Sequence, residues 1–281
     1  MLEVKYKSRI FHITETYSYG DPPSVTGTAF HMHSCLLPDS VSPLKRSEGS
    51  FTFQKLFRTL LIDLEKDKQE LFNDFSKKVR YEIKRAERQG VKYSEIHKPS
   101  DKEIEEFTKS FNKFAAEKKI RPCNSNKLKA YRNKNAFVIT RANVEESFLC
   151  SHGYIFDGER AIMLYSFSFK NTDDTEQRNL IGRANRYLHW RSILSFKKKG
   201  GKWYDLCGLS LDKNELQGIN RFKKGFGGME ADELKTYRGK NLLGKFIIVA
   251  LRWKWRNQPE FIRAKKILRS GKSGAGFREN A

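Results

Sequence analysis

The chain has 281 residues, 38% of them hydrophobic and 13% aromatic, which suffices for a sizeable core and is too apolar for general disorder. Its formal charge of +22 is spread unevenly: 20 basic against 12 acidic residues over 65–134, 11 against 3 over 183–228 and 13 against 2 over 235–281, but only 4 against 7 over 135–182. Four cysteines without a CxxC or short Cys/His spacing argue against a zinc site or a disulfide framework. No run reaches the roughly 18 apolar residues of a membrane span, and the N-terminus lacks the apolar core of a signal peptide.

In chain order, 5–14 and 28–37 are strand candidates, with turns at 20–23 and 38–49. Residues 59–64 (TLLIDL) predict a buried strand, and 66–89 predict one long helix ended by Gly90, with Leu71, Phe72, Phe75, Val79, Ile83 and Ala86 on its inner face. A strand over 91–96 precedes an amphipathic helix over 101–118, capped by Ser100, and a short helix over 124–133. The pattern then changes to strands at 136–141, 147–156 and 160–169, with Asp157-Gly158 as a hairpin turn. A helix over 183–199, a strand over 203–207, a helix over 218–226 and a strand over 230–237 follow. Basic helices over 243–256 and 260–268 lead into a Gly/Ser tail. Antiparallel strands followed by helix, strand, helix and strand imply a mixed sheet covered by helices.

Several residues carry candidate chemistry. Gly182 and Ala184 at a helix start, with Arg183 and Asn185 beside them, would let a phosphate or ester carbonyl approach free backbone N–H groups; an ordinary helix start reads equally well. Lys223, after Arg221-Phe222 and before Gly225 and Gly227, places a cation where negative charge would develop on an acyl oxygen. Asp205, at a strand end, could accept a proton from an attacking amine or hydrogen-bond the loop at 208–210. Arg80, Lys84 and Arg88, four apart, form a basic stripe suited to phosphates of RNA or a nucleotide, or simply a solvated face. The aromatic and basic run 251–256 (LRWKWR) suits a membrane interface or RNA.

Two blocks of sequence resemble the FemABX-like branch of the GNAT acyltransferase superfamily. The first is 59–64 followed by KKVRYEIKRA at 77–86 and Gly90-Val91. The second comprises Gly182, Ala184-Asn185, Tyr187-Leu188, Trp190, Gly200-Gly201, Tyr204-Asp205, Gly208, Gly218-Ile219 and Phe222-Lys223 with Phe226-Gly227. The resemblance implies a GNAT-like α/β (α+β) fold: a mixed, mostly antiparallel sheet flanked by helices, with a reduced N-terminal subdomain over 1–95 and a complete acyltransferase domain over 96–281. It implies an N-acyltransferase acting on a cell-envelope precursor (peptidoglycan or surface polysaccharide), with a polyanionic donor, acyl-CoA or aminoacyl-tRNA, as co-substrate. Lys223 and Asp205 would be catalytic; Gly182, Arg183, Ala184, Asn185 and Phe222 would bind the donor, and Arg80, Lys84, Arg88 and Arg221 its phosphates or RNA. No metal or permanently bound cofactor is implied. Such a protein would be cytoplasmic, with peripheral contact to the inner membrane face through the Trp-containing C-terminal helix. The competing expectation is a non-catalytic protein that binds RNA or anionic membranes on the same fold.

Overall fold

A computed structural model describes residues 1–18, 23–37, 51–168, 174–210 and 217–270. The predicted turn over 38–49, most of that over 20–23 and the Gly/Ser tail lie outside these residues. In chain order the elements are β1 (Leu2–Ser8), β2 (Phe11–Ser18), β3 (Phe30–Leu37), β4 (Thr52–Asp63), α1 (Lys68–Asp74), α2 (Lys77–Arg88), β5 (Val91–His97), α3 (Asp101–Glu117), α4 (Ser125–Asn133), β6 (Phe137–Val144), β7 (Ser147–Phe156), β8 (Arg160–Ser168), α5 (Thr175–Lys198), β9 (Trp203–Asp205), α6 (Gln217–Lys224), β10 (Met229–Gly239), α7 (Leu242–Trp255) and α8 (Pro259–Ser270).

The chain divides into two compact units, one of Met1–Leu60, Gly208–Asn220 and Glu230–Ala281, the other of Leu61–Cys207 and Arg221–Met229. This differs from the division expected at residue 95. Residues 61–95 belong with the second unit because Val79, Ile83 and Ala86 of α2 are buried and β5 pairs antiparallel with β6. The C-terminal helices belong with the N-terminal strands because β10 returns to pair with β3.

In the first unit the strand order is β1-β2-β3-β10-β4. The expected strand over 5–14 is two: the chain reverses at Arg9, which adopts a positive φ of 55°, so that β1 and β2 form an antiparallel hairpin. β2 and β3 run parallel, and β3 and β10 antiparallel. Ile248 of α7 packs on Phe30, Phe53 and Tyr237, and Ala264 and Ile267 of α8 pack on Leu56 and Leu234. Gly244 lets α7 approach the strands: a Cβ there would lie 1.7 Å from the Ala29 carbonyl oxygen, which already accepts the Lys240 N–H at 3.0 Å.

In the second unit β5, β6, β7 and β8 form an antiparallel series. β9 adds to β8 in parallel and to residues 61–63 of β4 in antiparallel sense. β7 is buried over most of its length because both faces are covered. His152 points to α5, whose Asn185 it meets at 3.0 Å, while a Cβ on Gly153 would lie 2.8 Å from the Phe107 ring of α3. The long helix expected over 66–89 breaks in two. Phe75 is extended, Ser76 caps α2 by accepting the Val79 N–H, and Arg80 donates to the carbonyls of Asn73 and Phe75, 2.7 Å each. The break turns Phe75 inward, edge-on to Trp190 of α5 and Phe226. Ser100 caps α3 as its sequence position predicts, with Glu103 completing a capping box.

Gly244→Ala is expected to lower the thermal unfolding midpoint by several degrees, because backbone crowding of this kind costs about 1–3 kcal/mol or more. Calorimetry of the purified chain checks this; an unchanged midpoint would mean that α7 does not lie against Ala29.

Candidate active site

The parallel pairing of β8 with β9 covers only Arg160–Ile162 against Trp203–Asp205. Beyond it β8 continues to Ser168, and the chain leaving β9 turns away at Cys207. A parallel pair that parts in this way opens a gap at the carboxyl ends of its strands, the usual place for a ligand in such sheets.

The turn at that gap is held from three sides. Asp205 is completely buried, and its Oδ2 accepts from Arg160 through Nε at 2.8 Å and through Nη2. Its Oδ1 accepts the Cys207 N–H at 2.7 Å. Cys207 has a φ of 58°, a conformation costly for a side-chain-bearing residue, and its carbonyl accepts from the Lys223 ammonium at 3.1 Å. Asp205 is therefore the buried anchor of this turn. Of the two expectations for Asp205, its bond to the Cys207 N–H fits the one in which it holds the loop that follows, and its oxygens, engaged by Arg160 and Cys207, have no exposed surface.

Lys223 is 8% exposed. Burial pulls its ammonium below the ordinary lysine pKa, opposed by the neighbouring Cys207 and Asp205. Phe222 beside it meets His189 at a ring distance of 5.6 Å, and the Arg186 guanidinium lies 5.0 Å over the Phe222 ring. Arg186 Nη1 donates to the Gly182 carbonyl at 2.8 Å, so residues 182–186 and Phe222-Lys223 share one neighbourhood.

The structure gives Gly182 and Ala184 a different setting from the one expected. α5 starts at Thr175, with Asp174 as its N-cap, so both residues lie inside the helix and their N–H groups belong to its own ladder. The helix begins eight residues earlier than expected because Asp174 supplies the cap and Glu176 a favourable first-turn charge. A Cβ on Gly182 would meet only Arg186 Nη1, at 3.7 Å, so no neighbour requires glycine there, and Ala184 is fully buried. Arg183 is 5% exposed, and its Nε has no hydrogen-bond partner. It lines a cavity of about 280 Å³ with Leu180, Gln177, Glu176 and Asp174 of the same helix end and Arg85 and Gln89 of α2.

Behind Phe222 lies a buried polar chain that sequence reasoning missed. Tyr204 and His189 Nδ1 meet at 2.6 Å, Tyr204 and Tyr154 at 2.8 Å, Tyr154 and His152 Nδ1 at 2.8 Å, and His152 Nε2 and Asn185 Oδ1 at 3.0 Å. If Asn185 Oδ1 is taken as the acceptor, one proton arrangement satisfies the whole chain. His152 donates to Asn185, Tyr154 to His152, Tyr204 to Tyr154 and His189 to Tyr204, with both imidazoles neutral. Burial enforces that neutrality. It lowers the His152 pKa to about 4 and takes His189 well below its ordinary value, with repulsion from His152, Lys223 and Arg186 adding to the latter. The available signal was the pairing of His152 with Tyr154, two apart on a strand, and of Asn185 with His189, four apart on a helix.

The residues of the predicted basic stripe have different settings. Arg80 is tied to the end of α1, Lys84 sits 5.8 Å over the Phe72 ring, and Arg88 is exposed, as is Arg221 on α6. Among the described residues no group of three metal-ligating side chains converges.

No family model and no curated protein matches the sequence. Solved structures do. FemX superposes with a TM-score of 0.56 at 11% identity, over 74% of this chain and 72% of that one. The C-terminal domain of a putative lysylphosphatidylglycerol synthetase from Agrobacterium fabrum gives 0.46 at 10% (72% and 67%), and a tandem GNAT protein from the clavulanic acid biosynthesis pathway gives 0.37 at 9% (75% and 65%). The fold is FemX-like. At these identities the likeness is one of fold, and the FemX superposition carries it.

Two outcomes are expected. Arg160→Met removes the guanidinium from the buried Asp205 carboxylate, and should cost about 3–5 kcal/mol in urea unfolding. Stability should also fall as pH drops from 6.5 towards 4. In that window the unfolded chain binds protons that buried His152 and His189, and His31 of the first unit (pKa lowered to about 4), do not. Each histidine contributes about 1.4 kcal/mol per pH unit, so His152→Gln should flatten the dependence by about that slope.

Proposed function

We propose that the protein is an N-acyltransferase that forms an amide on an amino group of a cell-envelope precursor, peptidoglycan or surface polysaccharide, from an aminoacyl-tRNA or acyl-CoA donor. The observation that carries this reading is the buried Lys223 ammonium, fixed on the Cys207 carbonyl where β8 and β9 part. The FemABX-like sequence blocks and the FemX-like fold agree with it.

In the reaction the amine nitrogen attacks the donor's acyl carbon, and the carbonyl oxygen takes up negative charge. The bond to the ribose oxygen or the CoA sulfur then breaks, and the proton lost by the amine passes to that leaving group. A cation in a water-poor setting stabilises such an oxyanion by several kcal/mol, because little solvent screens it. The proposed role of Lys223 is that cation, with Phe222 and Asn185 shaping the donor's seat and Arg183 and Arg186 offering cationic groups to its phosphates. Asp205 serves by holding the Cys207 turn that presents Lys223. Exposed Arg221, Lys84 and Arg88 supply the longer-range attraction for a polyanion. A lipid-linked acceptor would bring the reaction to the inner face of the cell membrane.

A second reading, a binder of RNA on the same fold, is favoured by one observation: the Asp205 carboxylate beside the Lys223 turn is buried and bonded to Arg160 and the Cys207 N–H, which leaves it poorly placed to act as the amine's base.

Mass spectrometry of ligands that co-purify at low salt, followed by single-turnover assays with the donor so found, tests the proposal. Lys223→Ala is expected to slow transfer by about 10²–10³-fold in protein that remains folded. The wild-type rate should fall at alkaline pH as Lys223 loses its proton, at a pKa below the ordinary 10.5, and Lys223→Arg should move that limb upward. Tight tRNA binding without transfer, unaffected by Lys223→Ala, would instead establish the RNA binder.

A further inference from the structure

α7 is apolar on two opposite faces. Gly244, Ile248, Leu251 and Trp255 face the strands of the first unit. On the other side Leu242, Phe246, Val249 and Trp253, spaced four, three and four apart, form a single stripe and are 75%, 73%, 55% and 69% exposed. The stripe is about 16 Å long at 1.5 Å per residue. A soluble surface seldom aligns four such side chains without a partner.

The charges beside it identify the partner. No acidic residue occurs in α7, and between 242 and 270 Glu260 is the sole acid against eight basic residues. By helical spacing Lys245, Arg252 and Arg256 border the stripe on one side and Lys254 on the other. Arg252, Lys254 and Arg256 are exposed, and the Arg256 guanidinium lies 5.4 Å over the Trp253 ring. An apolar stripe bordered by cations on both sides, with a tryptophan towards one end, matches the boundary between acyl chains and anionic headgroups. A second copy of the chain would bring like charges together across such a stripe. RNA would leave Leu242, Phe246 and Val249 without apolar contact. The helix cannot cross a bilayer: its 14 residues span about 21 Å against a hydrocarbon core of about 30 Å.

We infer that α7 is a membrane-docking surface, which lies in the plane of an anionic bilayer with Leu242, Phe246, Val249 and Trp253 among the acyl chains and Arg252, Lys254 and Arg256 on the headgroups. The inference rests on the α7 surface alone. It deepens the proposed function by naming how such an enzyme would reach a lipid-borne acceptor.

Vesicle flotation of the full chain, with no donor or acceptor present, tests it. Binding is expected to vesicles containing phosphatidylglycerol and at least about tenfold weaker to pure phosphatidylcholine vesicles. Phe246→Ser with Trp253→Ser should reduce binding about tenfold or more without moving the unfolding midpoint, since both side chains are exposed. Arg252→Gln with Lys254→Gln should reduce it further and weaken its salt dependence. Failure to float with phosphatidylglycerol vesicles, or binding indifferent to the Phe246/Trp253 pair, overturns the inference. So does dimerisation in the absence of lipid that the same pair abolishes, or tRNA binding lost in the charge variants while vesicle binding persists. Transfer activity in solution is measured separately, so either result leaves the assignment of Lys223 to its own assay.

Discussion

The carboxylate of Asp205 has no contact with solvent, and a buried charge of that kind persists only when it is paired and hydrogen-bonded. Arg160, at the start of β8, satisfies one oxygen, and the Cys207 N–H satisfies the other. These bonds tie β8 to β9 at the point where their pairing ends, and they hold Cys207 in a left-handed conformation that its own side chain disfavours. The Cys207 carbonyl then receives Lys223. The position of the ammonium thus follows from a buried carboxylate that holds the turn presenting it.

The aromatic and polar packing around that point is of two kinds. Phe75, Trp190 and Phe226 close one side by edge-on contacts that exclude water. The His189–Tyr204–Tyr154–His152–Asn185 chain fills the adjacent interior with hydrogen bonds that leave each donor in the chain an acceptor. A network of this kind fixes α5 against β7 and β9 in one register, because a slip would strand buried hydroxyl and imidazole groups. It also keeps two imidazoles neutral near Lys223 and Arg186, so no further positive charge builds up beside them.

The first unit has a different economy of surface. Its strands are covered by α7 and α8, and Gly244 brings α7 so close that only a bare backbone fits against Ala29. That close seat exposes the opposite face of the same helix, so the exposed stripe and the buried one are consequences of a single packing choice. Arg58 and Arg263 converge on Asp232 beneath α8, which pairs charges that would otherwise add to an already basic region.

Residue pattern alone determined much. Ser100 and Glu103 marked the start of α3, Asp157-Gly158 the turn between β7 and β8, and the β-branched and aromatic runs of β6 to β8 their strands, because these signals act over a few residues. Helix length was not legible: one apolar period runs through 66–89, yet Ser76 and Arg80 capture backbone groups that divide it, and Asp174 begins α5 well before the apolar stripe does. The partners of Asp205, the neutral histidines and the burial of Arg183 with its unpartnered Nε depend on residues dozens of positions apart. Tertiary structure alone decided them, because burial and pairing at a distance are properties of the fold and leave no periodic trace in the chain.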